Sequence, residues 1–224
     1  MKAIVLLSGG LDSSTCLAQA IRDCDEVIAL SINYNQRHSI ELDCAKRISE
    51  YYGVEHIILP LPLDEIGGSA LTSSIPVPEG VPKEREIPIT YVPARNTILL
   101  SLALALSEVR EAEAIYIGVN SIDYSNYPDC RGDFIACFEE LAKLGTRAGR
   151  EGRGVKIFTP LLNLTKAEIV LKAIELGLDM SLTSSCYNPN PDGNPCGICS
   201  SCMIRAKGFK EAGVEDPMVK SKRG

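Results

Sequence analysis

Apolar residues in this chain fall into short unbroken runs separated by longer stretches of mixed character. Ala3-Ile4-Val5-Leu6-Leu7 and Val27-Ile28-Ala29-Leu30-Ser31-Ile32 are too continuous for strands with one wet face, which alternate. Strands buried on both faces of a parallel sheet read this way. Helical spacing follows each run, at about 12–23 and from Ile40 to Tyr52, and Ile57-Ile58-Leu59 reads as a third strand. The theme then repeats with a helix at about 96–109, a strand at 114–119, a helix near 133–144, a strand at 155–158 and a helix at 165–176. Strands alternating with helices of this length imply right-handed βαβ units. They predict a doubly wound α/β fold with a mostly parallel sheet.

Two stretches break the rhythm. Residues 61–93 hold prolines at 62, 76, 78, 82, 88 and 93 and the pair Gly67-Gly68. A loop that long inside a compact domain is usually functional, so a lid or a partner-contact segment is expected. The Gly- and Arg-rich stretch 145–154 reads as a solvated connection.

Composition narrows the function classes. At 224 residues, with 45% hydrophobic and 23% charged residues, the chain can bury a core without staples. No apolar run approaches the ~20 residues of a membrane span, and the N-terminus enters a strand pattern with no signal-peptide pattern, so a cytoplasmic location is expected. The net charge of −6 argues against a nucleic-acid backbone as the main partner and favours a small-molecule substrate.

The first strand runs into Ser8-Gly9-Gly10-Leu11-Asp12-Ser13-Ser14-Thr15. A glycine turn between a parallel strand and a helix lies where open α/β sheets bind ligands, and it aims helix N–H groups at an anion. Ser8, Ser13, Ser14 and Thr15 add hydroxyls, while Asp12 or Ser13 could instead only cap the helix. The lysine of a Walker loop is missing. Tyr34-Asn35-Gln36-Arg37-His38 follows the second strand and opens onto the same edge, so Arg37 is a candidate nucleotide contact and His38 a contact or a cap. Arg95, ahead of the apolar helix Ile98–Ala105, could reach a phosphate; the helix itself lacks a polar face and should be buried. After the 114–119 strand, Asp123 and Asp129 could accept from a guanine-like edge. Tyr124 and Tyr127 could stack on a flat ring, and Arg131 could hold a carboxylate.

Nine cysteines are many for a reducing compartment, and Cys186, Cys196, Cys199 and Cys202 crowd together as C-x9-C-x2-C-x2-C. Four thiolates on a short knuckle suit a structural zinc. An iron-sulfur cluster is the rival, but the x3-C-P continuation of bacterial ferredoxins is absent, and persulfide chemistry would want an exposed reactive thiol. Cys16, Cys24, Cys44 and Cys137 fall on helices and read as buried structural thiols.

Ser8-Gly9-Gly10-Leu11-Asp12-Ser13 resembles the SGGxDS loop of the pyrophosphate-loop ATPases, which adenylate a substrate oxygen. Over nearly the whole chain, SGGLDSST (8–15), YNQRH (34–38), VPARNTILL (92–100), GVNSIDYSNYPDCR (118–131), TPLLNLTKAEIV (159–170), SSCYNP and CGICSSC (184–202) are similar to the 7-cyano-7-deazaguanine synthase family. The resemblance implies one adenylating domain, 1–224, adenine nucleotide alpha hydrolase-like, with the zinc segment 184–212 integral to it. It implies ATP, Mg²⁺ and zinc, with the four clustered cysteines as zinc ligands. It also implies 7-carboxy-7-deazaguanine and ammonia as substrates, and a homodimer. The implied ATP loop is Ser8, Gly9, Gly10, Leu11, Asp12, Ser13, Ser14, Thr15, Cys16, Leu17 and Ala18, with Arg37 beside it, and Asp12 would orient the loop or help hold Mg²⁺. Ser8, Asp12, Ser13, Arg95 and Arg131 are the candidate catalytic residues; Asp123, Tyr124, Tyr127, Asp129 and Arg131 are the candidate substrate contacts. Another adenylating enzyme, one that stops at the amide or modifies tRNA, is the alternative within the superfamily. A zinc-ribbon interaction module is the alternative outside it.

Overall fold

The computed structural model describes residues 1–36, 39–82, 86–122 and 127–220, without the side chains of Val219 and Lys220. Its strands are β1 (Lys2–Leu6), β2 (Glu26–Asn33), β3 (Glu55–Pro60), β4 (Ala114–Tyr116) and β5 (Lys156–Phe158). They form one parallel sheet in the order β3-β2-β1-β4-β5. The chain begins at the centre, winds outward through β2 and β3, then returns past β1 to β4. That reversal opens a crevice between the carboxyl ends of β1 and β4.

The period of two along the strands sorts the core into two unlike faces. Ile4, Leu6, Ile28, Leu30 and Ile115 point to one side, against Leu100, Ala103 and Leu104 of α3 (Arg95–Arg110) and Ile135 and Phe138 of α4 (Gly132–Gly145). Ala3, Val5, Ala29 and Ala114 point to the other. Those small residues let α1 (Leu11–Asp23) and α2 (Ile40–Tyr52) lie close, through Cys16, Leu17, Ala20, Ala45 and Ile48.

Beyond α4 follow α5 (Arg147–Arg150), α6 (Lys166–Glu175), α7 (Ser200–Glu211) and the short α8 (Pro217–Lys220). α6 opens with a capping box: the Glu168 amide donates to Thr165 Oγ1, and the Thr165 amide donates back to the Glu168 carboxylate. α6 and α7 meet in a third apolar cluster, Leu161, Ile169, Ala173 and Phe209, which also takes in Leu11 at the start of α1.

Three expectations are corrected. The strand expected to run to residue 119 ends at Tyr116; the Ile117 amide still donates to Phe158 O at 3.0 Å, and Ile117, Gly118 and Val119 line the crevice. Cys137 is exposed and Cys24 half-buried, because α4 turns Ile135 and Phe138 inward and leaves Cys137 on the wet side; Cys16 and Cys44 are buried as expected. α3 buries one side alone, with Ser101 and Ala105 exposed. The 145–154 connection contains α5 and exposed ion pairs of Glu151 with Arg147 and Arg153.

The 61–93 segment is fastened at several points. Ala70 N–H donates to Ile89 O at 2.8 Å, Thr90 Oγ1 and Tyr127 Oη lie 3.0 Å apart, and Gly80 N–H donates to Ile198 O at 2.8 Å. Leu71 and Val92 enter the main core, and Val77 packs on the cysteine cluster. No helix among the described residues is long and apolar enough to cross a membrane.

Candidate active site

The crevice is a cavity floored by the turn from β1 to α1. Gly9 sits at φ +85°, and a Cβ there would lie 2.2 Å from Glu41 O and 2.7 Å from Ala45 N. The first turn of α2 can close on the loop only because that residue is glycine. On the other side, a Cβ at Gly118 would lie 3.1 Å from backbone atoms of Asp12 and Ser13. α1 is capped by Gly10, not by Asp12 or Ser13. The Asp12 and Ser13 amides have no protein acceptor among the described residues, so this helix start keeps donors for an anion.

The hydroxyls divide into two sets. Ser8 and Ser13 lie 3.0 Å apart in the cavity wall, and the Ser8 amide donates to Ser13 Oγ at 3.1 Å. Ser14 and Thr15 turn back, donating to Gly10 O at 2.7 Å and Leu11 O at 2.8 Å, and both are buried. Cys16, Leu17 and Ala18 belong to the buried side of α1. Ser8, Gly10, Leu11, Asp12 and Ser13 thus face the cavity, while the later positions hold the helix to the sheet.

A lysine is present after all, brought from far along the chain. Lys166, the first residue of α6, donates to both Asp12 oxygens at 2.8 and 2.7 Å and lines the same cavity. The pair is largely buried, with side-chain exposures of 8% for Lys166 and 18% for Asp12. Gly208 makes room for it: a Cβ there would lie 2.3 Å from Lys166 Cγ. Sequence reading missed Lys166 because nothing local marks it. The capping box at Thr165 and Glu168 predicts a helix start but does not say what that start faces.

The segment before the cysteines braces the loop. Ser184 N–H donates to Gly9 O at 3.0 Å, and the Leu11 amide points to Ser185 Oγ at 3.5 Å. Arg205 of α7, buried, donates to Asp216 at 2.7 and 2.9 Å, to Thr183 Oγ1 at 2.8 Å and to Ser185 Oγ at 3.4 Å. One guanidinium therefore ties α7 to the chain that holds the loop.

The far end of the cavity is more apolar and aromatic, with Leu30, Ile32, Leu71, Leu99, Tyr34, Tyr127 and Tyr187 in its wall. Arg95 lines it too, aimed by Ala94, a non-glycine residue at φ +54° whose amide donates to Tyr91 Oη at 3.1 Å. Such a conformation costs on the order of 1 kcal/mol and persists where surrounding contacts hold it. Asp129 is buried and accepts from the Asn96 amide at 3.0 Å, fixing the start of α3. Arg131 lies outside the cavity lining, 62% exposed at its side chain and 3.7 Å from Asp133. Arg37, His38, Asp123 and Tyr124 lie outside the described residues.

The Sγ atoms of Cys186, Cys196, Cys199 and Cys202 all lie within 4.8 Å of one another. Zinc-sulfur bonds of about 2.3 Å in a tetrahedron put sulfurs about 3.8 Å apart, and the Cys196 Sγ lies 3.5 Å from Cys186 Sγ and 4.0 Å from Cys202 Sγ, distances that bracket that value. Amides of Asn188 and Cys196 donate to Cys186 Sγ, and that of Cys199 to Cys196 Sγ, at 3.2–3.4 Å. Such bonds favour thiolates. Donor set and spacing fit one zinc.

The family described as queuosine biosynthesis protein QueC matches residues 2–213. The chain is 57% identical over 221 residues to the 7-cyano-7-deazaguanine synthase of Solidesulfovibrio magneticus, covering 96% of this chain and 94% of that one. It is 56% identical over 221 residues to the enzyme of the same name from Syntrophobacter fumaroxidans, at the same coverage. Among solved structures, a 4-thiouridine synthetase in complex with RNA and bound ATP aligns at TM-score 0.52 and 19% identity, over 95% of this chain and 50% of that one. The NMN synthetase of Francisella tularensis aligns at TM-score 0.50 and 15% identity, over 100% and 78%. These two are alike in fold.

Proposed function

The chain belongs to the queuosine biosynthesis protein QueC family, and we propose that it converts 7-carboxy-7-deazaguanine and ammonia to 7-cyano-7-deazaguanine at the expense of ATP. Queuosine precursor synthesis follows from the family; the steps are our reading. Going from carboxylate to nitrile removes two oxygens, neither of which can leave as oxide in water. Attack of each oxygen on the α-phosphorus of ATP, with loss of pyrophosphate, turns it into the leaving group of AMP. Ammonia displaces the first AMP to give the amide, and the second departs as the nitrile forms.

The observation that carries this reading is the pairing of Lys166 with Asp12 beside unpaired α1 amides. In a Walker loop the lysine rides on the loop and holds the phosphate under attack. Here the charge stands on another helix, suited to pyrophosphate that must be stabilised as it departs. Asp12 spends both oxygens on Lys166, which favours orienting that lysine over gripping a metal. Mg²⁺ arriving with ATP would be held largely by phosphate oxygens and water, as that ion prefers. Ser8 and Ser13 would donate to the phosphates, and Arg95, at the far end, would meet the substrate carboxylate. Tyr127 and Tyr187 line a slot suited to a flat ring. Zinc would be structural, its ligands filling every position. One domain, with 184–212 built into it, is consistent with the Ser184 and Arg205 contacts. Exposed Ile66, Val81 and Ile87 support a homodimer through the 61–93 segment.

Incubation with ATP, Mg²⁺, ammonium and 7-carboxy-7-deazaguanine should yield the nitrile by mass spectrometry. Accumulation of the amide alone would favour the enzyme that stops halfway.

A further inference from the structure

Glu41 lines the cavity and has no part in the steps above. It is one of two carboxylates in the described cavity wall, and Lys166 already holds the other, Asp12. Among the described residues no hydrogen bond or ion pair reaches the Glu41 carboxylate. It stands in the first turn of α2, the turn whose carbonyl closes on Gly9, so it is built into the wall beside the nucleotide loop. Burial pushes its pKa up to about 7, with the Arg95 charge pulling the other way.

A lone carboxylate is out of place in a site that admits a carboxylic acid and ATP, since it repels both. Its charge suits the one cationic reactant, ammonium. We propose that Glu41 binds ammonium in the cavity and takes a proton from it, releasing ammonia against the acyl adenylate. This rests on the adenylating reading above. As the carbon-nitrogen bond forms, the bond from carbon to the AMP oxygen breaks and its electron pair leaves with the phosphate. Nitrogen sheds two protons between ammonium and amide; the first goes to Glu41, and the second leaves with AMP or to water.

Groups facing Glu41 leave it the available base. Arg95 on α3 is a permanent cation. Burial raises the pKa of Tyr34, beyond β2, and of Cys44, on the next turn of α2, so both stay neutral near neutral pH. Cys130, also in the wall, is pushed up to about 12 by burial.

The test is Glu41→Gln, assayed with ammonium and, separately, with hydroxylamine, which is uncharged near neutral pH and needs no base to become a nucleophile. Pyrophosphate exchange with the acid substrate should stay within about twofold of wild type, and hydroxamate formation within about threefold. Turnover with ammonium should fall about 100-fold near neutral pH, a typical general-base contribution. The gap should narrow as pH rises and free ammonia replaces ammonium. In the wild type, turnover should decline as pH falls below about 7, where Glu41 becomes protonated and can no longer accept. Equal losses with both nucleophiles would overturn the proposal and point to heterocycle recognition; so would a gap that ignores pH. Loss of exchange would overturn it in favour of a role with ATP or acid. If Glu41→Gln does not fold, Glu41→Asp should show the same pH-dependent, ammonium-specific defect at smaller size. A wild-type chain with no exchange would instead overturn the adenylating reading, and this proposal with it.

Discussion

Lys166→Met should cut the exchange of labelled pyrophosphate into ATP, driven by the acid substrate, about 1000-fold. That is the size expected for removing a preorganised charge from a site where charge develops in the transition state. Part of any loss could arise from stability, because Asp12 would be left as a buried carboxylate without its partner, a defect worth about 3–5 kcal/mol. The double variant Lys166→Met with Asp12→Asn removes that burden. It should recover the wild-type melting temperature more nearly than the single variant while exchange stays as low. Gly208→Ala should give a milder version, since its methyl would meet Lys166 Cγ at 2.3 Å and push the ammonium off Asp12. Exchange near wild type in Lys166→Met would remove Lys166 from the adenylation step.

Cys199→Ser should abolish stoichiometric zinc and lower stability by about 4 kcal/mol, a size reserved for losses such as a structural metal. In a chain of this length that is a fall of about 10 °C in melting temperature. The effect should reach beyond the knuckle. Cys199 caps α7, and α7 carries Cys202, the Arg205 that holds Ser185, and the Gly208 on which Lys166 rests. Exchange should therefore fall with the metal even though none of the four clustered cysteines lines the cavity. Metal analysis of the wild type should give one zinc per chain, and iron with sulfide would contradict the zinc assignment.

Much of this was legible from local pattern. The unbroken apolar runs marked buried parallel strands, because both faces of β1 and β2 are covered by helices. The glycine turn was legible because it needs backbone approach on both sides, as Gly9 and Gly118 show. The cysteine spacing was legible because four thiols on one short knuckle must converge. Lys166, Arg205 and Glu41 were not, and for one reason. Each reaches the cavity through the packing of its helix, α6, α7 or α2, and sequence spacing does not encode which way a packed helix turns a given side chain. Cys137 failed in the same way. Its apolar character suggested burial, but the phase of α4 is set by Ile135 and Phe138.

The chemistry claimed for the site can be traced atom by atom. With both carboxylate oxygens of 7-carboxy-7-deazaguanine labelled with heavy oxygen, each nitrile formed should be accompanied by two AMP and two pyrophosphate, and each AMP should carry one labelled oxygen on its phosphate. Label recovered in orthophosphate or in water, or ADP in place of AMP, would contradict adenylation of the carboxylate and of the amide.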